Sequence, residues 1–327
     1  MDEVTASAPG KIILFGEHFV VYGEPAIVLA IDKRAYASVE MRRDSKIYID
    51  NLADLGISGY FKKNRFIIEQ GGQDSEFKLL PIKTAVQKIL EKSGKNVGVN
   101  VKMHCSIPVS AGLGSSAAVV AATAKATSRL LDVELSKEDI FNITFESERL
   151  VHGTPSGIDP TITTYGGVLL FRKGKRFKRI DVKKDIPLVV GNTEIKHSTG
   201  ELVSMVKHRR EKYAAIIDPI IKAGGKITLN AVNALRDYDL NALGELMNIN
   251  HALLYAIGVS NASLEKLVCA ARDAGAYGAK LTGAGGGGCI VALSSPKEAS
   301  QIVEAIEKAG GKAFAVKKSD EGARVEG

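Results

Sequence analysis

Cysteine is scarce in this chain of 327 residues: Cys105, Cys269 and Cys289 stand far apart, odd in number and each with apolar residues close by in sequence. That pattern excludes a disulfide framework and predicts buried thiols in a reducing compartment. The six histidines show no paired ligand spacing, so no zinc site is expected. No apolar run reaches ~18 residues and no charged-then-apolar leader opens the chain, which predicts a cytoplasmic protein with no membrane partner. Zinc-finger spacing, an RNA-binding motif and an aromatic-studded basic strand are missing too. The net charge of +7 and pI near 9.1 therefore carry no case for nucleic acid as a partner.

What is present is a soluble globular composition, 45% hydrophobic and 25% charged, in a chain long enough for two domains. A composition shift near 188–191 places the boundary at about 185, giving domains 1–185 and 186–327. The first forty residues read as short apolar strands broken by Gly10, Gly16 and Gly23, with Lys11, Glu17 and His18 at strand ends. Helical spacing begins at Ile82 and stops before Gly94. Val97, Val99, Val101, Met103 and Cys105 then alternate as a half-buried strand. Ser136 and Asp139 form a capping-box-like helix start. The basic run 173–179 reads as a solvated hairpin tip. Beyond 191 the chain is mostly helical, in segments near 198–222, 227–237, 239–257 and 261–274, the first broken at Pro219. A helix at 296–309 and a strand at 313–316 close it.

The stretch 107–118, I-P-V-S-A-G-L-G-S-S-A-A, passes from strand through tight loop to helix start. Gly112 and Gly114 let main-chain N–H groups approach a ligand, and the unpaired N–H groups of the following helix favour an anion such as phosphate. Ser115 and Ser116 are either ordinary caps or ligands to phosphate or Mg²⁺. No Gly-Lys-Ser/Thr ends the loop, so it is not a P-loop. Gly112, Gly114 and Ala117 fit the dinucleotide pattern literally, but Asp132 and Glu134 fall at a helix exit where that motif needs a second strand. A second glycine stretch, K-L-T-G-A-G-G-G-G-C from Lys280, lies between two strands and reads as a glycine-rich turn whose backbone packs against a ligand. Asp159, between Gly157 and Pro160, is by default a turn aspartate.

Three stretches taken together, P-G-K-I-I-L-F-G-E-H-F-V-V-Y-G from Pro9, P-V-S-A-G-L-G-S-S-A-A from Pro108 and the glycine turn from Lys280, resemble the signature motifs of one superfamily. It is that of the galactokinase, homoserine kinase, mevalonate kinase and phosphomevalonate kinase (GHMP) enzymes. An F-E-x-E-R…H-G-x-P-S-G-x-D segment at 145–159 and an S-T-x-x-L-V segment at 198–203 make the resemblance closest to the mevalonate kinases, in a compact archaeal- or bacterial-like form.

The resemblance implies a two-domain α+β fold, with an N-terminal half like the second domain of ribosomal protein S5 and a ferredoxin-like C-terminal half, ATP lying between. It also implies transfer of phosphate from ATP to mevalonate with Mg²⁺, and allows a homodimer. Asp159 would be the catalytic carboxylate, taking the proton of the attacking hydroxyl, and Lys11 its charged neighbour. Ser116 and Glu148 would bind Mg²⁺, with Glu146 pointing elsewhere. Pro108, Ala111, Gly112, Leu113, Gly114, Ser115, Ser116, Ala117, Gly283 and Gly285 would surround the nucleotide. Lys11, Glu17, His18, Asp159 and Thr199 would face the substrate.

Overall fold

The structure is a computed structural model that describes residues 3–62, 65–72, 74–108, 112–152, 156–196 and 198–327. Two long antiparallel strands begin it, β1 (Val4–Phe15) and β2 (Ala26–Arg42), joined through a 3₁₀ turn (Phe19–Tyr22). Gly10 does not break the first strand as expected. The register shifts between Pro9 and Gly10 and pairing resumes. A bulge with no Cβ serves close approach, since a Cβ at Gly10 would stand 3.1 Å from the Leu113 carbonyl oxygen.

There follow β3 (Ile47–Asn51), α1 (Leu52–Leu55), β4 (Ile57–Lys62), β5 (Arg65–Gln70), α2 (Ser75–Ser93) and β6 (Gly98–Cys105). In β6, Val99, Val101 and Met103 are buried while Lys102 and His104 are exposed, the alternation expected of it. Helix α2 starts seven residues before Ile82 and carries Pro81 inside it. The bond that Pro81 cannot make would end on Phe77, which is half exposed, so water can satisfy that carbonyl at small cost.

Next come α3 (Ser115–Leu130), α4 (Lys137–His152), α5 (Ile158–Tyr165), β7 (Val168–Phe171) and β8 (Lys178–Arg179). The capping box is realised: the Asp139 carboxylate accepts from Ser136 N at 2.9 Å, and Asp139 N donates to the Ser136 hydroxyl at 3.1 Å. Strands β7 and β8 pair around the basic run as the expected hairpin.

The remainder is β9 (Leu188–Asn192), α6 (Thr199–Lys212), α7 (Ala214–Asp237), α8 (Leu240–Ala256), α9 (Ala262–Asp273), β10 (Gly278–Thr282), β11 (Cys289–Leu293), α10 (Ala299–Lys308), β12 (Lys312–Val316) and β13 (Arg324–Val325). The break expected at Pro219 falls at Tyr213, a residue of non-helical backbone that ends α6 and starts α7 (φ −130°, ψ 47°). Pro219 sits six residues into α7, where few intrahelical bonds precede it.

One sheet runs β13-β1-β2-β6-β3-β4-β5, with β7 pairing β2 and β8 pairing β7; the other runs β10-β11-β9-β12. All described pairings but β3 with β6 are antiparallel, which rules out a doubly wound dinucleotide fold. Helices α2 to α5 pack on one another, and α3 lies across β1 and β2. A single hydrophobic cluster continues from Ile12 and Val101 through Val232 and Met247 to Val190 and Val291, so the two sheets share a core. Of the cysteines, Cys289 is buried and Cys105 half-buried, but Cys269 is exposed. It is adjacent in α9 to the buried pair Leu267 and Val268, and the helical turn carries it outward.

Candidate active site

The bulge in β1 sets the first part of the site. Lys11 N donates to the Leu113 carbonyl at 2.8 Å, tying strand to glycine loop. Gly112 and Gly114 have φ of 71° and 79°, a region that penalises any side chain. Gly114 is also the N-cap of α3, and a Cβ there would stand 3.0 Å from Lys11 Cγ. No side chain caps α3, so the capping alternative for Ser115 and Ser116 is not realised. The first N–H groups of the helix, which lack intrahelical partners, lie beside the exposed Ser116, while Leu113 and Ala117 are buried as its footing. Pro108 ends the approach to this loop, half-buried; Ala111 lies outside the described residues.

Asp159 stands in the first turn of α5, behind Gly157 as N-cap (φ 83°). Lys11 Nζ is 3.2 Å from its Oδ1. The pair is in ion-pair range but off hydrogen-bond alignment, and Oδ1 has no hydrogen-bond partner among the described residues. About a third of the Asp159 side chain is accessible, so the carboxyl group can take a further donor. Glu148, on α4, is buried. Burial first, and then the Asp159 charge, push its carboxyl up to about 8 against the pull of Lys11. Two carboxylates thus share one lysine, a donor set short of positive charge. Glu146 turns away and pairs with Lys88 on α2.

Other expected contacts fall differently. Glu17 does not reach the cleft: it is fully buried and ion-paired with Lys280, itself fully buried on β10. Burial raises the Glu17 carboxyl and lowers the Lys280 ammonium, and their mutual attraction opposes both shifts. His18 has a positive φ of 58°, and its Nε2 lies 2.8 Å from the Ala284 carbonyl. A carbonyl only accepts, so Nε2 carries the proton and Nδ1 is the acceptor. Burial lowers the ring's pKa, so His18 serves as a neutral polar group. Thr199 is exposed at the start of α6. Leu202, one turn on, rests against Gly286, which sets Thr199 at the rim of the second glycine turn.

In that turn Gly283 (φ 85°) faces open space. Gly285 (φ 79°) is instead required by packing, because a Cβ there would overlap the Val259 carbonyl. Two residues given no role in the sequence belong to the site's frame. Lys280 is one, and its trace was a lysine inside a strand of otherwise uncharged residues, which demands a buried carboxylate partner. Thr282 is the other; its hydroxyl accepts from Ile13 N at 3.2 Å and donates to Ile13 O at 2.9 Å.

A glycine-bounded helix start facing a lysine–carboxylate pair is a place for phosphate chemistry, and comparison with known proteins agrees. The model of the GHMP kinases N terminal domain matches residues 81–167, and that of the GHMP kinases C terminal domain matches 231–312. The fold is the two-part α+β architecture of those kinases. The mevalonate kinase of Pyrococcus abyssi (strain GE5 / Orsay) is 45% identical over 99% of this chain and 98% of its own. The crystal structure of L. major mevalonate kinase in complex with R-mevalonate superposes with a TM-score of 0.84 at 30% identity, covering 97% of this chain and 96% of the other. That of the Methanococcus jannaschii mevalonate kinase gives 0.83 at 28%, covering 97% and 99%. The chain belongs to the mevalonate kinase family of the GHMP kinases.

Proposed function

We propose that this chain transfers the γ-phosphoryl group of ATP to the 5-hydroxyl of mevalonate, giving 5-phosphomevalonate and ADP. The observation that carries the reading is the Lys11–Asp159 pair at 3.2 Å, set beside an uncapped helix start. Family membership over the whole chain supports the choice of mevalonate. Asp159 accepts the hydroxyl proton as the oxygen attacks phosphorus. Lys11 balances that carboxylate and draws on the equatorial oxygens of the transferring group, while the free N–H groups of α3 hold the phosphates.

Magnesium fits the residues present. Glu148 is a buried carboxylate destabilised by a second carboxylate, and the Ser116 hydroxyl is exposed and makes no cap, so both offer hard oxygen donors. When bound, the ion would neutralise charge on the ATP phosphate oxygens. The neutral His18 ring and the Thr199 hydroxyl are the groups proposed to meet the hydroxyls of mevalonate.

The test is a coupled assay of ATP consumption against mevalonate, its phosphates, homoserine and galactose. Turnover of mevalonate is expected, with phosphorus NMR placing phosphate on the 5-hydroxyl. A 3-phosphate product, or turnover of another panel member in place of mevalonate, overturns the reading.

A further inference from the structure

Strand β10 and its glycine turn grip the end of β1 at three points that the phosphoryl-transfer chemistry does not itself use. The Thr282 hydroxyl holds both main-chain groups of Ile13. Lys280, two residues earlier on the same face of the strand, pairs with Glu17 and also donates to the Leu281 carbonyl at 2.7 Å. The Ala284 carbonyl takes the His18 ring. The residues held, 13, 17 and 18, lie on both sides of Gly16, where a side chain would overlap Pro25 and Ala26. Lys11 is two residues before the first grip and His18 is the last. Any shift of β10 against β1 therefore moves both.

A fully buried ion pair is an expensive way to join two elements. Desolvation of both charges consumes most of what their attraction returns, and apolar side chains of like volume would hold as firmly. What the pair adds is direction and charge. The ammonium points two of its donors, at Glu17 and at Leu281 O, which fixes the loop after β1 in one place. The Glu17 charge also acts on Lys11, the cation paired with Asp159.

We propose that Lys280 is a positioning residue for phosphoryl transfer: through Glu17 it locks the loop after β1 to the glycine turn after β10, and so sets where Lys11 and His18 stand relative to Asp159. The inference rests on the assignment of Asp159 and Lys11 above. Lys280→Met alone strands the Glu17 charge in the interior and is expected to lose much of the stability, so it decides little. The informative variant is Glu17→Gln with Lys280→Met, which removes both charges together.

That double variant should melt within a few degrees of the parent and keep its KM for ATP within about threefold, yet lose at least tenfold in kcat. Lys280→Arg keeps a cation for Glu17 but moves its head group. It should fold and show the same split, lower kcat at little-changed KM. A double variant or an arginine variant that folds with kcat within twofold of the parent overturns the proposal, leaving the pair a structural contact. Failure of the wider assignment shows elsewhere, in the parent enzyme not phosphorylating mevalonate or in Asp159→Asn keeping full turnover.

Discussion

At the scale of single residues the site is an imbalance of charge: Asp159 and Glu148 both lean on Lys11, yet the two carboxylates are placed for different work. Asp159 is partly accessible beside the lysine, whereas Glu148 is buried behind it. Asp159→Asn removes the group proposed to take the hydroxyl proton, so kcat should fall by ~10²–10⁴, the usual loss for a general base. Substrate and nucleotide affinities should change far less, because the interaction is needed chiefly at the transition state. Glu148→Gln should instead raise the Mg²⁺ concentration needed for half-maximal rate, with part of the rate recovered by excess metal. Titrating Mg²⁺ against rate in both variants checks the assignment; rescue of Asp159→Asn and not of Glu148→Gln reverses it.

Elements place these residues through close approaches that depend on absent side chains. Phe19, fully buried in the 3₁₀ turn after β1, presses on α7 at Gly224, where a Cβ would overlap its ring. Gly224→Ala gains about 1 kcal/mol of helix propensity but overpacks a buried contact, which costs about 1–3 kcal/mol. A net loss of stability is expected. Gly200, in the first turn of α6 with open space around it, has no such neighbour, so Gly200→Ala should stabilise by up to about 1 kcal/mol. Urea midpoints moving in the same direction for the two variants would contradict this. The same contrast explains what the sequence could and could not convey. Ser136 and Asp139 are three residues apart, and their box was readable because it is local. The nearness of Lys11 and Asp159 was legible because the stretch from Pro9 and the 145–159 segment carry them as motifs. Gly224 falls between the helical segments legible at 198–222 and 227–237, and the ring that needs it lies some two hundred positions away. The burial of Glu17 was hidden for the same reason: nothing within a strand end announces that a lysine from β10 will cover it.

At the scale of the molecule, β10 is one of the elements that join the two sheets, and the support behind that strand is itself titratable. His251 on α8 is buried; its Nδ1 accepts from Leu281 N at 3.2 Å and its Nε2 meets Glu265 of α9 at 2.9 Å. Glu265 is held in turn by Ser260. Burial, with Arg272 and Lys280 assisting and Glu265 opposing, brings the ring down to about 4. An unfolded histidine takes its proton near 6.5. Between those values the unfolded chain binds more protons than the folded one, so stability rises with pH through that window and is lost as pH falls from about 6.5 towards 4. The slope from one such group cannot exceed about 1.4 kcal/mol per pH unit. His251→Gln keeps an acceptor for Leu281 N and a donor for Glu265 but does not titrate. Its stability relative to the parent should therefore improve on acidification, by about 1 kcal/mol per unit below pH 6, because the parent alone pays for an excluded proton. Urea unfolding of both proteins at pH 7, 6 and 5 measures the difference, in which the carboxylates common to both largely cancel. A difference that stays constant across the three pH values would mean that His251 takes its proton at the same pH folded and unfolded, which overturns the reading of a ring held neutral by burial.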